Sequence, residues 1–261
     1  MVKFHVSFHL KLKPLIQKVR RRFSGTVKAA RPELDPAAGY ARWAATYDDP
    51  SPNLMLELEG EAFAGLLARV DLKDKFIIDV GCGTGRHWGR MLVGKPGRLK
   101  GYDVSPEMLS RLRRKYPKAE VSVISSKSCA LPDVAPASAN VIISNLVLAH
   151  VENLEPMFEE WNRVLKPGGD ILLTDYHPGA LASGADRTFR HDGQTIAIRN
   201  FIHPIAEVRE MFGCMGWREI EFCELKVEPK HKRFYEARDA LSVYERFLDT
   251  PIVYGWGLKK A

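Results

Sequence analysis

Three glycines follow a short apolar segment of the chain and precede a segment with helical character. Phe76–Val80 is the apolar segment, and Gly81, Gly83 and Gly85 have the spacing G-x-G-x-G. Glycine is needed where a chain leaves a strand sharply and where the backbone must approach a ligand closely. The sequence therefore predicts a strand, a turn and a helix, with a small ligand held at the turn. A purely structural glycine turn is the alternative.

The residues around this turn distinguish between classes of ligand. A dinucleotide-binding turn has its third glycine where Arg86 stands here, and a P-loop ends in Gly-Lys-Ser/Thr, which this turn lacks. Asp79 ends the strand, where a carboxylate suits a ligand with an ammonium group better than one with a pyrophosphate. Asp103 ends the next predicted strand, where a carboxylate can accept strong hydrogen bonds from two ribose hydroxyls.

The elements that position these residues follow from an alternation of apolar and helical segments. Strands are predicted at 76–80, 99–104, 121–124, 140–145 and 170–175, and helices at 53–69, 105–116 and 154–165. Near-continuous apolar strands separated by helices indicate an α/β fold with a parallel sheet covered on both faces. The stretch Lys166-Pro167-Gly168-Gly169 is read as a stop signal after the third of these helices.

The pattern changes after Tyr176. Residues 177–200 are polar and rich in turn-forming types, and a helix at 204–215, a strand at 219–227, a helical segment at 233–248 and a last strand at 252–258 follow. We predict one domain over residues 33–261, with insertions near 177–202 and 228–249. Such insertions would cap the carboxyl ends of the strands, where ligands bind in sheets of this kind.

Charge divides the chain into a basic arm and a nearly neutral remainder. Residues 1–32 hold nine basic side chains and no acid, whereas the whole chain of 261 residues has a net charge of +7. The remainder therefore lacks the cationic field that nucleic-acid binding requires. The arm has strand-like alternation from Val2 to Leu12 and then helical spacing. We interpret it either as an extra strand or loose arm, or as a basic segment that contacts a membrane surface or a second subunit.

Cysteine spacing and hydropathy bear on the compartment. The four cysteines form no CxxC pair, no apolar stretch reaches the length of a membrane span, and the start lacks the apolar centre of a signal peptide. These features predict a cytoplasmic protein in a reducing compartment, without a metal site, peripheral to a membrane if the arm binds lipid.

Four motifs occur in order along the chain: D-V-G-C-G-T-G-R at 79–86, G-Y-D-V-S-P-E-M-L at 101–109, S-N-L-V-L-A-H-V at 144–151 and R-V-L-K-P-G-G-D-I-L-L-T-D at 163–175. Together they resemble the class I S-adenosylmethionine-dependent methyltransferases, in the small-molecule branch that includes ubiquinone and menaquinone methyltransferases. Y-A-R-W-A-A-T-Y-D, at 40–48, resembles the segment that closes over the cofactor in that branch. The resemblance covers roughly 40–260 and implies a doubly wound, mostly parallel, seven-stranded Rossmann-like sheet.

The resemblance implies S-adenosylmethionine as the cofactor. The residues implied to bind it are Arg42, Tyr47, Asp79, Gly81, Cys82, Gly83, Asp103, Val104, Met108, Lys127, Ser128, Asn145 and Leu146. The glycine turn approaches the methionine part, Asp79 orients its amino group, and Asp103 holds the ribose hydroxyls. Val104 and Met108 pack on the adenine, and Asn145 and Leu146 lie beside the methionine chain. Core packing is the alternative for Met108, and ordinary packing for Arg42 and Tyr47.

One segment departs from the family pattern. The family often has Gly-Asp-Ala before a Leu-Pro pair, with the aspartate accepting a hydrogen bond from the adenine. Here Ser126-Lys127-Ser128 precedes Leu131-Pro132. Lysine cannot accept a hydrogen bond, so only its stem could cover the ring, while the Ser128 amide could reach the adenine. This departure weakens one expected contact.

Methyl transfer from a sulfonium needs alignment of the acceptor and exclusion of water, and a base when the acceptor is a hydroxyl. The candidate bases are His150, His177 and His203, with packing or a helix-start hydrogen bond as the alternative for each. Arg187, Arg190 and Arg199 are candidates for binding an acidic substrate, or else solvated charges of an insertion.

The sequence thus predicts a methyltransferase that acts on oxygen, nitrogen or carbon of a small molecule. A lipid-like or an acidic acceptor is compatible with the arm and with the late arginines. The alternative is a catalytically inactive S-adenosylmethionine-binding protein that serves a partner or a regulatory role, and the altered segment at 126–128 is the best support for it.

Overall fold

The computed structural model describes residues 31–49, 53–125 and 129–261. Pro32–Ala261 form one compact unit. The predicted strand and helix of the arm lie outside the described residues, as do Lys127 and Ser128. In the part of the chain described, no helix combines the length and the apolar character needed to cross a membrane.

The strands and helices follow the predicted alternation closely. The strands are β1 (Glu33–Leu34), β2 (Phe76–Val80), β3 (Arg98–Asp103), β4 (Glu120–Val123), β5 (Ala139–Asn145), β6 (Leu165–Tyr176), β7 (Thr188–His191), β8 (Gln194–Ile198), β9 (Trp217–Lys226) and β10 (Pro251–Lys260). The helices are α1 (Pro36–Trp43), α2 (Leu54–Leu67), α3 (Trp88–Val93), α4 (Pro106–Lys115), α5 (Glu155–Val164), α6 (Pro178–Ala182), α7 (Ile205–Cys214), α8 (Lys232–Glu236) and α9 (Leu241–Phe247).

Seven strands form one sheet in the order β4-β3-β2-β5-β6-β10-β9. The five from β4 to β6 are parallel, and β10 runs antiparallel to both β6 and β9. The predicted α/β fold with a mostly parallel, seven-stranded, doubly wound sheet is therefore confirmed. Because the order reverses at β2, the carboxyl ends of β2, β3 and β5 border the crevice in which ligands of such sheets bind.

Both faces of the sheet are buried. Ile77 and Ile78 are adjacent on β2, point to opposite faces, and are each 0% exposed. On one face Ile78 packs in a cluster with Trp161 of α5, and on the other Ile77 packs with Phe63 of α2. Fully burying a side chain of this size contributes about 2 kcal/mol, so the centre of the sheet is a rigid support for the residues at its edge.

Side-chain caps fix where the helices beside the crevice begin. The Ser105 hydroxyl accepts a hydrogen bond from the Met108 amide, and Pro106 occupies the first turn of α4. The Asn53 side chain accepts from the Leu56 amide at the start of α2. Each cap satisfies an amide that has no partner within the helix, which stabilises the helix by about 1 kcal/mol.

Two segments differ from the sequence-based prediction. The helix ends at Val164, as the stop signal at 166–169 predicts, but β6 begins at Leu165 rather than at 170. The pairing of β6 with β5 shifts between Ala139–Leu165 and Val141–Asp170, so that the extra residues bulge out. The predicted turn-rich stretch contains a hairpin of β7 and β8. Asp192 and Gly193 form its two-residue loop, both with positive φ, as in the turn that suits a twisted hairpin. This hairpin joins β1 in a second sheet of order β1-β8-β7.

Candidate active site

A cavity opens at the carboxyl ends of β2, β3 and β5. It encloses about 770 Å³ of space, including its opening to solvent. Among its lining residues are Tyr40, Tyr47, Gly81, Gly83, Asp103, Val104, Met108, Asn145, Leu146, Val147 and His150. Eight of the residues implied to bind the cofactor are thus brought together: Tyr47, Gly81, Gly83, Asp103, Val104, Met108, Asn145 and Leu146.

Each position of the turn requires or favours glycine for a different steric reason. Gly81 has φ +74°, and a Cβ there would lie 2.1 Å from the Val147 side chain after β5. Gly85 also has positive φ, and a Cβ would lie 3.0 Å from Leu112 of α4. At Gly83, with φ +53°, a Cβ would meet no atom of the described residues within 4 Å. The first and third glycines therefore allow close packing, and the second leaves space open in the cavity wall.

Asp103 is held in place by backbone amides. One carboxylate oxygen accepts from the Gly83 amide at 2.8 Å, and the other accepts from the Ser105 amide at 2.8 Å. The residue is 8% exposed, and this burial raises the pKa of its carboxyl to about 6. Since a carboxylate oxygen accepts more than one hydrogen bond, both oxygens keep acceptor capacity for a ligand, and their direction is fixed before it binds.

Asp79 and Cys82 lie beneath the turn, and the described residues that form the cavity wall do not include them. The Trp88 indole donates to Asp79 at 2.8 Å. Burial raises the pKa of Asp79 to about 7, with the nearby Asp103 carboxylate as a smaller contribution. Asp79 is 4% exposed and is held by Trp88 at the start of the turn, and its contact with the amino group of the cofactor stays a prediction.

Replacing Asp79 with asparagine should stabilise the free protein in a pH-dependent way. A raised carboxyl pKa means that the folded state binds the proton more tightly than the unfolded state. The ionised Asp79 therefore lowers the free energy of unfolding of the wild type. This effect is absent below about pH 4 and complete above about pH 7. We expect the free energy of unfolding of Asp79→Asn to exceed that of the wild type by on the order of 1–3 kcal/mol at pH 8, with the difference vanishing near pH 4.

Denaturant unfolding at pH 4, 6 and 8 measures this difference. Asp175 titrates in both proteins and its contribution cancels, whereas the repulsion between Asp79 and Asp103 is lost in the variant and is part of the expected difference. The exposed Glu152→Gln is the matched control and should show a small change in unfolding free energy at all three pH values. A variant that is less stable than the wild type at pH 8 would contradict the burial argument.

The orientation of the Asn145 amide follows from counting protons. The Thr174 hydroxyl lies 2.7 Å from a Glu59 carboxylate oxygen and 2.8 Å from the Asn145 side chain. Glu59 is fully buried, and although burial raises its pKa, the hydrogen bond from His87 and the charge of Arg86 lower it to about 2. The structure places the Asn145 oxygen toward Thr174, but because the single Thr174 proton goes to the carboxylate, we infer the flipped amide, whose nitrogen donates to Thr174. Its oxygen then remains as an acceptor for the cavity.

Glu59 was not among the residues predicted for the site. It lies on α2, four residues after Met55 and four before Phe63, both of which are buried. An acid on the apolar face of an amphipathic helix is a signal that the sequence contains. Such an acid needs polar partners, here Arg86, His87 and Thr174, because an unpaired charge in the interior is costly.

Of the three candidate bases, His150 is the one that reaches the cavity. Its Nδ1 donates to the Arg199 carbonyl at 2.9 Å, so the neutral ring carries its proton there. Its Nε2, 2.9 Å from the Tyr40 hydroxyl oxygen, accepts the hydroxyl proton. Burial lowers the pKa of His150 to about 4. His150 is therefore a neutral, weak base that orients Tyr40.

His177 and His203 are placed elsewhere, since the cavity wall formed by the described residues lacks both. His177 accepts from the Gly179 amide at 3.1 Å and donates to Glu224 at 3.0 Å, and so caps α6. His203 donates to the Val151 carbonyl at 2.8 Å. The helix-start and packing alternatives account for these contacts.

The protonation state of His150 can be measured directly. We expect its imidazole to stay neutral from pH 8 down to about pH 5, because its folded-state pKa lies near 4, below the usual value of 6.5. A titration of histidine side chains by NMR would show this, with the half-exposed His191 as an internal reference of ordinary exposure. A titration midpoint above pH 6 for His150 would contradict the burial argument. His150 would then again be a candidate for the catalytic base.

The arginines of the hairpin region separate into two kinds. Arg187 is 4% exposed, and its guanidinium donates to the Tyr47 hydroxyl at 3.2 Å. Arg190 and Arg199 are exposed. Arg42 is exposed too, and it does not belong to the part of the cavity wall that is described. Burial of Arg187 could not be inferred from its polar sequence neighbours.

Comparison with known proteins agrees with this architecture. Residues 78–173 match the family model of the methyltransferase domain. Over 137 residues the chain is 33% identical to a demethylmenaquinone methyltransferase of Chlorobaculum tepidum, covering 51% of this chain and 55% of that protein. Over 140 residues it is 34% identical to a malonyl-[acyl-carrier protein] O-methyltransferase of Hahella chejuensis, covering 53% and 48%. The chain spans about half the length of the curated relatives it matches.

The fold also matches solved structures. An S-adenosylmethionine-dependent methyltransferase from Mesorhizobium loti superposes with a TM-score of 0.60 at 20% identity, over 78% of this chain and 100% of that one. The strand order, the glycine turn, Asp103 at the end of β3 and these matches agree with the resemblance seen in the motifs. Residues 78–173 therefore form a methyltransferase domain, and the fold of the chain is that of the class I S-adenosylmethionine-dependent methyltransferases.

Proposed function

We propose that this protein binds S-adenosylmethionine and transfers its methyl group to a small-molecule acceptor in the same cavity. The observation that carries the proposal is the pairing of Gly83 with Asp103. Gly83 leaves open space in the cavity wall, and its amide fixes the Asp103 carboxylate beside that space. A fixed carboxylate with free acceptor capacity suits a vicinal diol such as that of a ribose.

The remaining residues of the cavity fit the other parts of this cofactor. Val104 and Met108 offer apolar surface next to Asp103 for the adenine, and the Asn145 oxygen is an acceptor for the ammonium group. When bound, the cofactor supplies an electrophilic methyl carbon. The chain's own contribution is to hold the two ligands in line and to exclude water, and alignment of this kind is worth roughly 7–11 kcal/mol of barrier.

The protonation state of His150 limits the chemical classes of methyl acceptor that suit the site. Because the imidazole is neutral with a lowered pKa, and its free nitrogen is occupied by Tyr40, it is poorly suited to remove a proton from an alcohol. Acceptors that need little help with deprotonation fit better, such as a carboxylate, an activated carbon or an amine. This is a proposal about the acceptor class, and the arm at 1–32 with its predicted membrane or self contact stays a prediction.

The experiment is calorimetric titration with S-adenosylmethionine and S-adenosylhomocysteine, with NADH as the control ligand. A screen for S-adenosylhomocysteine formation with carboxylic acids, phenols, quinols and amines should follow. Micromolar binding of the two adenosyl ligands and turnover of one acceptor class are expected. Binding without turnover on any class would favour the inactive alternative, and tight NADH binding or no binding would overturn the proposed function.

A further inference from the structure

Arg187, immediately before β7, is a buried cation with incomplete partners. Its guanidinium lies 5.2 Å from the centre of the Trp43 ring and 6.0 Å from that of Tyr40. One terminal nitrogen donates to Tyr47, and the other lies 3.1 Å from the Met55 sulfur. Within the described residues its Nε is buried without a hydrogen-bond partner, and no carboxylate lies within 4 Å of its nitrogens.

This arrangement is costly for the free protein. Burying a cation without an anion loses its hydration, and aromatic faces and one phenol replace that hydration only in part. Asp175, a buried carboxylate close enough to contribute to the electrostatics of Arg187, already accepts from the Tyr176 and Ala149 amides. The unsatisfied charge favours an anion from outside the chain, and such an anion would meet it through Tyr47, because Tyr47 lines the described cavity wall and Arg187 does not.

Tyr47 connects this charge to the cavity. Tyr47 lines the cavity, and its oxygen accepts from Arg187, so its own proton is available for a ligand. The neighbouring Tyr40 differs, because its proton is donated to His150. The cavity wall therefore presents one phenolic donor with a positive charge directly behind it, which is the arrangement that favours an acceptor atom carrying negative charge.

We propose that Tyr47 and Arg187 form a subsite for a carboxylate of the methyl acceptor, and this assignment rests on the proposed function. A single guanidinium matches the single charge of a carboxylate. The acceptor is favoured over the cofactor as the source of that carboxylate, because Arg187 lies outside residues 78–173, which match the methyltransferase domain and contain the glycine turn and Asp103. The wall around the subsite is otherwise aromatic, so the acceptor combines an anionic end with an apolar body.

The test measures binding of simple carboxylates to protein saturated with S-adenosylhomocysteine. Butyrate, hexanoate and octanoate are titrated against the corresponding amides, followed by NMR shifts of the protein. We expect at least one carboxylate to bind at least tenfold more tightly than its amide. Arg187→Met and Tyr47→Phe should each weaken that binding at least tenfold. The control is Arg190→Met, which changes an exposed arginine three residues further along, on β7, and should leave carboxylate binding unchanged.

Cofactor titrations separate the possible results. Affinity of Arg187→Met for S-adenosylhomocysteine within threefold of the wild type, with a similar melting temperature, confirms an intact cofactor site. A loss of S-adenosylmethionine affinity that decarboxylated S-adenosylmethionine does not show would assign Arg187 to the cofactor and overturn the acceptor subsite. Equal binding of acid and amide, no carboxylate binding, or no effect of Arg187→Met would overturn it as well.

The same carboxylate titrations are repeated on protein without S-adenosylhomocysteine. They distinguish failure of the proposed methyltransferase function from failure of the anion subsite. Failure of the proposed function appears as absent binding of both adenosyl ligands by the wild type. In that case, carboxylate binding that depends on Arg187 would still support the anion subsite, and its absence would still reject it.

Discussion

Asp103→Ala is expected to weaken the binding of S-adenosylhomocysteine at least 30-fold. The carboxylate is fixed by the Gly83 and Ser105 amides, and its remaining acceptor capacity faces the cavity. A hydrogen bond to a charged group contributes about 1.5–3 kcal/mol, and loss of about 2 kcal/mol corresponds to a 30-fold change in the dissociation constant. Calorimetric titration of both proteins at pH 8 measures the change.

Asp133→Asn provides the matched control. Asp133 accepts from Tyr102, which is adjacent to Asp103 on β3, but it does not contribute to the described wall of the cavity. Its replacement should leave the dissociation constant within twofold of the wild-type value. An Asp103→Ala variant that melts normally and binds S-adenosylhomocysteine as tightly as the wild type would reject the ribose assignment and with it the strongest support for the proposed function.

Gly81→Ala is expected to lower the melting temperature by roughly 5–15 °C. A non-glycine residue at φ +74° costs about 1–2 kcal/mol, and the added Cβ would lie 2.1 Å from Val147, so the strand ends must separate. Overpacking of this kind costs about 1–3 kcal/mol more. At roughly 2–4 °C for each kcal/mol in a domain of this size, the loss is readily measured by thermal unfolding monitored by circular dichroism.

Gly83→Ala, two residues along, separates stability from binding. Its φ is also positive, but the added methyl group would meet no atom of the described chain within 4 Å. We expect a fall in melting temperature of only a few degrees, from the backbone strain, together with at least a tenfold loss of S-adenosylhomocysteine affinity, because the methyl group takes up cavity space. Equal melting temperatures for the two variants would show that the contact with Val147 is soft.

The sequence predicted the strands and helices around the glycine turn because the patterns that indicate them are local. The apolar strand β2, the glycines after it and the Ser105-Pro106 start of α4 each depend on residues within a few positions of one another. The position of Asp103 at the end of β3 follows from the same local pattern. For such features, spacing along the chain decides spacing in the structure.

The residues that the sequence could not place depend on contacts between distant segments. His177 and His203 stand close to predicted strand or helix ends, as His150 does, and only tertiary packing turns His150 toward Tyr40. Arg187 has polar neighbours in sequence, yet it is buried against Trp43 and Tyr47, which lie in the N-terminal part of the domain. The pairing of residues that are far apart in sequence has no periodic signal that would reveal it.

The small sheet of β1, β7 and β8 has a consequence for local opening. The Ala197 and Arg199 amides donate to the carbonyls of Pro32 and Leu34, each at 2.9 Å, and so join the segment leading into α1 to the hairpin that carries Arg187. The sheet's own apolar cluster is small, with Phe189, Ile196 and Ile198 buried, and small units of this kind exchange their amide hydrogens through local unfolding rather than global unfolding. Breaking this short ladder would separate the segment leading into α1 from the hairpin, while the hydrogen bond of Thr84 to Asp48 would still hold the segment of Tyr47. The amide exchange rates of Ala197 and Arg199 therefore set a lower limit on the rate at which this ladder opens.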